Sequence, residues 1–146
     1  MVFGFKKSII YVEIRDFEPL TDNNNTIDRK NILLEKIRDK INLEKAIKDC
    51  QNILFSLKVV YHLNIDTKIE GQYKKDLDNM TKIVADVLTD YLTAQDRQNN
   101  QKTGLGLIHD DKDIHELHLV KKFVKCDSKQ GLDIILYKHK NKFWPH

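Results

Sequence analysis

The chain has 146 residues, 40% hydrophobic and 32% charged, with 25 basic residues against 22 acidic ones for a net charge of +3. That is the length of one domain over residues 1–146, able to bury a core without staples, and a charge balance that neither demands nor excludes nucleic acid unless the two signs segregate. Cys50 and Cys126 lack metal-type spacing and make no disulfide framework; no apolar run approaches the roughly 20 residues of a membrane span, and the N-terminal stretch lacks a signal peptide's apolar core, so a cytoplasmic setting and no membrane partner are expected.

Residues 5–15 alternate, Ile10, Val12 and Ile14 on one side and Ile9, Tyr11 and Glu13 on the other, which predicts a strand. The stretch EPLTDNNNT is a loop. From about Asp28 to Cys50, Leu33, Leu34, Ile37, Ile41, Ala46 and Ile47 form the apolar stripe of an amphipathic helix with a break near Asn42. Residues 53–65 carry Ile53, Phe55, Leu57, Val59, Tyr61, Leu63 and Ile65 at every odd position, the cleanest strand in the chain. A second helix follows with Leu77, Met80, Val84, Val87, Leu88 and Tyr91 at spacings of three and four. Residues 93–106 are polar and end in glycine, which predicts a flexible loop or a fraying extension of that helix. A third strand covers 114–124, CDSKQG at 126–131 is a hairpin turn, LDIILYK a fourth strand, and the tail HKNKFWPH is basic and loosely held. The order implies an α+β fold: a two-layer domain of about four strands in a mixed or mostly antiparallel sheet with two main helices.

The stretch KKDLDNMTK places Asp76, Asp78, Asn79 and Lys82 in the first turn or so of the second helix. A purely structural account exists: aspartate caps helices, a second acid complements the dipole by roughly 0.3–1 kcal/mol, and Lys82 stands four residues beyond Asp78. It does not extend to Asp110 and Asp111, which precede a strand, where no helix dipole rewards them. If that strand runs beside the helix start, Asp111 approaches Asp76 and Asp78, and each like-charged pair at ~4 Å in a dielectric of ~20 costs about 4 kcal/mol. A cation makes such a cluster tolerable, and three carboxylates suit Mg²⁺ or Mn²⁺ rather than zinc. DLDNMTKIVADV does not meet the ligand spacing of an EF-hand calcium loop.

Lys121 is a second irregularity, sharing a strand face with Leu117, Leu119 and Phe123. It either snorkels to an edge or reaches the acidic residues and holds a phosphate. Lys74, Lys75, Lys122 and Lys125 bracket the same region, and cations around carboxylates are what a phosphodiester substrate requires.

These two blocks resemble the RusA family of Holliday junction resolvases, small nucleases of phage and prophage origin. The family pattern is D-x-D-N-L-x-K on a helix, then paired aspartates before a strand ending in V-K. DLDNMTK (76–82) matches with Met80 in place of leucine, and GLIHDDKDIHELHLVKK (106–122) matches the second block. The resemblance covers about residues 73–138. The 93–106 loop is longer than in compact members, and PLTDNNNT matches the family's DNA-gripping loop poorly.

The resemblance implies Asp76, Asp78 and Asp111 as catalytic aspartates with Asp110 beside them, Lys82 as catalytic lysine, and a Mg²⁺-dependent homodimer that cleaves four-way junctions or branched DNA. Lys74, Lys75, Lys121, Lys122 and Lys125 are expected on DNA, and Asn79 beside a ligand carboxylate. Two other readings stand beside this one: a branched-DNA-binding module of prophage origin without chemistry, and a structural protein whose helix merely starts with acids.

Overall fold

The computed structural model describes residues 8–19, 26–64 and 77–139. Strand β2 (Phe55–Asn64) organises it, because side chains alternate across a strand and its odd residues, Leu57, Val59, Tyr61 and Leu63, are almost wholly buried. They face a helical layer. Strand β1 (Ser8–Arg15) adds Ile10, Val12 and Ile14 to the same side, and strand β4 (Gly131–Lys138) adds Leu132, Ile134 and Leu136.

The helical layer follows the predicted periodicities. Helix α1 (Thr26–Arg38) buries Leu33, Leu34 and Ile37. The break near Asn42 is present: Asn42 caps α2 (Leu43–Asp49), its side chain accepting from the Lys45 N–H. Helix α3 (Leu77–Leu88) turns Met80, Thr81, Ile83, Val84, Val87 and Leu88 inward, and its Thr81 Oγ1 lies 2.7 Å from Tyr61 Oη. Tyr91, read as part of this helix, lies beyond its end. No helix among the described residues is long and apolar enough to cross a membrane.

Strand β3 (Ile114–Val124) takes the predicted bounds but an unpredicted place. The sheet order is β1-β4-β2-β3; β4 is antiparallel to both its neighbours and β3 is parallel to β2. The segment 126–131 is therefore not a hairpin turn. It holds a one-turn 3-10 helix (Asp127–Lys129), tied to β2 by Asn64 Nδ2 donating to Asp127 Oδ1 at 2.7 Å, and leads the chain across the end of β2. Burial explains the exchange: β4 buries Leu132, Ile134 and Leu136 completely, as a central strand must, whereas β3 bears Glu116, His118 and Lys122 and suits an edge.

Residues 93–106 also differ from expectation. Thr93 caps a short helix, α4 (Ala94–Gln98), and the following glycine-rich stretch is fixed by backbone hydrogen bonds to the end of α3. The predicted strand residues 5–7, most of the asparagine-rich loop and the tail from 140 lie outside the described residues.

Candidate active site

Asp78, Asn79 and Lys82 are all exposed on the first turns of α3. The inward face of that helix is apolar, so spacing alone puts these three polar residues outside. Asp76, Lys74 and Lys75 lie outside the described residues.

At its other end α3 meets an unusual cap. A helix leaves its last carbonyls without intrahelical partners. Here the Leu105 N–H donates to Val87 O, those of Leu107 and Ile108 to Leu88 O, that of Gly106 to Thr89 O and that of Gly104 to Asp90 O, all at 2.9–3.1 Å. The approach at Gly104 leaves no room for a side chain: a Cβ would fall 1.9 Å from Thr89 O. The GLG stretch thereby delivers Asp110 and Asp111 to the C-terminal end of α3.

Asp110 has a structural task the sequence did not reveal. A single 3-10 turn, Asp111–Asp113, precedes β3, and Asp110 caps it, Oδ1 accepting from the Lys112 N–H at 3.0 Å. That N–H, the hydrogen bond with Asp111 and the charges of Lys112 and Arg97 hold the Asp110 carboxyl below its ordinary value. Asp111 moves the other way. Its hydrogen bond with Asp110, then burial, then the negative charges of Asp110 and Asp86 raise its pKa. Of the two, Asp111 is therefore the weaker acid.

Asp86 is the residue that sequence reasoning missed. It carries the Lys30 ammonium at 2.9 Å, and it lies in electrostatic reach of Asp111. Asp90 follows one turn later, 3.1 Å from His109 Nδ1. The signal was present: Asp78, Lys82, Asp86 and Asp90 recur every four residues, one helical face. Asp86 is eight residues from Asp78, about 12 Å along the axis at ~1.5 Å per residue. Asp78 and the Asp110/Asp111 pair therefore belong to opposite ends of α3. The physical reason is the parallel β2–α3–β3 connection: α3 runs back against the strands, so β3 begins where α3 ends.

The lysines divide between faces. Lys121 is level with Tyr61, hence on the helical side and near the start of α3. Lys122 pairs with His62 and stands on the opposite face of the sheet. Lys125 is exposed just past the end of β3. The thiols offer no alternative metal site: burial pushes Cys50 up to about 12, and Cys126, held below its ordinary value by its hydrogen bond to Ser128, stands at the far turn.

As donors, Asp78, Asp110 and Asp111 present only carboxylate oxygens, the chemistry of Mg²⁺ or Mn²⁺. Among the described residues, no three His, Cys, Asp or Glu side chains gather closely enough to hold a metal. No family model matches the chain, and no curated protein matches it significantly.

Proposed function

We propose that the chain is a Mg²⁺-dependent endodeoxyribonuclease that hydrolyses phosphodiester bonds in Holliday junctions and other branched DNA, as its resemblance to the RusA family suggests. The observation that carries the reading is the DLDN-x-x-K block at the start of α3, with Asp78, Asn79 and Lys82 turned outward together.

In this reading Asp76 and Asp78 of one copy of a homodimer, with Asp111 and its neighbour Asp110 of the other because the two sets stand at opposite ends of α3 within one chain, would hold Mg²⁺ or Mn²⁺. The ion supplies an activated water and stabilises charge on the leaving 3′ oxygen. Lys82, one turn from Asp78, stabilises the phosphate in the transition state or protonates the leaving group. Asn79 orients a carboxylate. Lys74, Lys75, Lys121 and Lys125 grip the DNA backbone, while Lys122 meets nucleic acid only if DNA also follows the open face. A four-way junction has two-fold symmetry and needs paired cuts, so a homodimer with two sites fits the task.

Asp78→Asn tests this directly. Junction cleavage in Mg²⁺ should be abolished with binding retained or tightened, since a like charge near phosphate is removed. Cleavage at the wild-type rate would remove Asp78 from the ligand set. The separation of Asp78 from Asp111 along α3 favours one competing reading, a branched-DNA-binding module without chemistry; wild-type protein that binds a labelled junction but leaves it uncut in Mg²⁺ would establish that instead.

A further inference from the structure

We infer that His115 and His139 form a two-imidazole site for a transition-metal ion of the Zn²⁺, Cu²⁺ or Ni²⁺ class, apart from the carboxylates and independent of the nuclease reading. His115 owes its place to an irregularity in the sheet. Strand β3 pairs Ile114 with Phe55 but Glu116 with the next residue, Ser56, so His115 is the extra residue of a β-bulge, a device that re-aims side chains. His139 arrives from the other side of β2, just past the end of β4, where its backbone N–H donates to Leu54 O at 2.8 Å. The two rings stand 5.8 Å apart, centre to centre, tilted by 39°.

The hydrogen bonds prepare His139 as a ligand. Ser56 Oγ lies 2.8 Å from Glu116 Oε1 and 3.0 Å from His139 Nδ1. A carboxylate only accepts, so the single hydroxyl proton goes to Glu116 and the hydroxyl oxygen accepts from Nδ1–H. That fixes the tautomer and leaves the lone pair on Nε2. A metal-binding histidine characteristically donates its other N–H towards a carboxylate, which orients the ring and raises its basicity. Here the link is relayed through Ser56, itself 4% exposed. His139 is held by this relay, whereas His115 is exposed, so its ring turns towards a shared ion without displacing the core.

The spacing agrees. An ion about 2.0–2.1 Å from one nitrogen of each ring keeps the ring centres within roughly 6.5 Å of each other, and the observed separation meets that bound. Imidazole suits Zn²⁺, Cu²⁺ and Ni²⁺, whereas Mg²⁺ keeps to oxygen, so this site and the carboxylates take different ions. Among the described residues no three His, Cys, Asp or Glu side chains gather closely enough to ligate together, which leaves the remaining positions to water and makes the ion exchangeable. Since β2 lies between β4 and β3, an ion held there ties the end of one to the start of the other across the central strand.

Zn²⁺ titrated into the full chain without magnesium or DNA, in competition with a chromophoric chelator, tests the site; a Cys126→Ser background removes the partly exposed thiol. One ion should bind per chain, undisturbed by a large excess of Mg²⁺. Ser56→Ala should weaken binding roughly 10-fold, as loss of an outer-shell partner does. His115→Ala, at an exposed position that the fold does not need, should weaken it more, and His118→Ala should leave it unchanged. Cu²⁺ in place of Zn²⁺ counts the ligands: its electron paramagnetic resonance should show two imidazole nitrogens in the wild type and one in His115→Ala. Equal zinc affinity in wild type and His115→Ala overturns the site, as does a single-nitrogen copper spectrum in both. A loss in His118→Ala as large as that in His115→Ala overturns it as well.

Discussion

Lys30 Nζ lies 2.9 Å from Asp86 Oδ2 and 3.1 Å from the carbonyl oxygen of Leu92, so one ammonium joins α1 to the last turn of α3 and the segment beyond it. Lys30 is only 6% exposed, and a buried cation is tolerated when its donors are occupied. The two partners are unequal, since the Asp86 side chain keeps 30% of its surface in water. Asp86→Ala leaves a buried ammonium with a single carbonyl and should cost about 3 kcal/mol. Lys30→Met leaves a carboxylate that water can reach and should cost about 1–2 kcal/mol. Urea midpoints decide it: the reverse order would mean that Lys30 contributes by packing rather than by charge.

The cap on α3 gives a second test. Gly104→Ala drives a Cβ into Thr89 O and should cost about 3 kcal/mol through displacement of the backbone. Gly106 has a positive φ of 73° but room for a Cβ, 3.4 Å from the nearest atom, so Gly106→Ala should cost only about 1 kcal/mol. Hydrogen exchange offers a local readout, with the amides of Leu105, Leu107 and Ile108 losing protection in Gly104→Ala.

On the open face of the sheet, Asp133 sits between Arg15 Nη1 at 2.8 Å and His62 Nε2 at 2.9 Å. Burial alone would raise its pKa, but the hydrogen bonds from His62 and Arg15 outweigh that and hold the carboxyl below its ordinary value. A depressed folded pKa contributes stability that is full above the unfolded value of about 3.9 and is lost as pH falls through the folded one. Asp133→Asn should therefore cost roughly 1 kcal/mol at neutral pH and nothing once both forms are protonated. Melting curves at pH 7 and below pH 3 should diverge and then converge; a gap that persists in acid would refute the assignment.

Lys121 stands on the helical side near the start of α3. If it grips phosphate, Lys121→Ala should weaken junction binding and flatten the slope of log affinity against log salt by about 0.9. Lys122→Ala, altering the opposite face, should change that slope less. Titrations at several salt concentrations compare the two.

Much of this fold was legible because one signal dominated. The odd-numbered apolar row of β2 and the 3–4 spacing of α3 report burial directly, and Asn42 marked the α1/α2 break through capping chemistry. The strand order was not legible, since the insertion of β4 between β1 and β2 depends on partners about 70 or more residues apart in the chain. Residues 103–106 read as loose because their order comes from carbonyls at the end of α3, which no local pattern announces. Asp110 misled for a similar reason: its cap serves a single 3-10 turn too short to show a period. At the site, residue types were legible but their meeting was not, because the direction of β3 relative to α3 decides which acids become neighbours.

The place of β4 has a consequence for how the chain comes into being. Strand β4 fills the middle of the sheet, touching β1 and β2 along nearly its whole length. Until residue 138 has left the ribosome, β1 has no strand to hydrogen-bond with and β2 bares a long, apolar flank. Collapse of the core must wait until β4 has been made, a slow, high-contact-order closure. A message cut short before residue 131 would release a chain ready to aggregate.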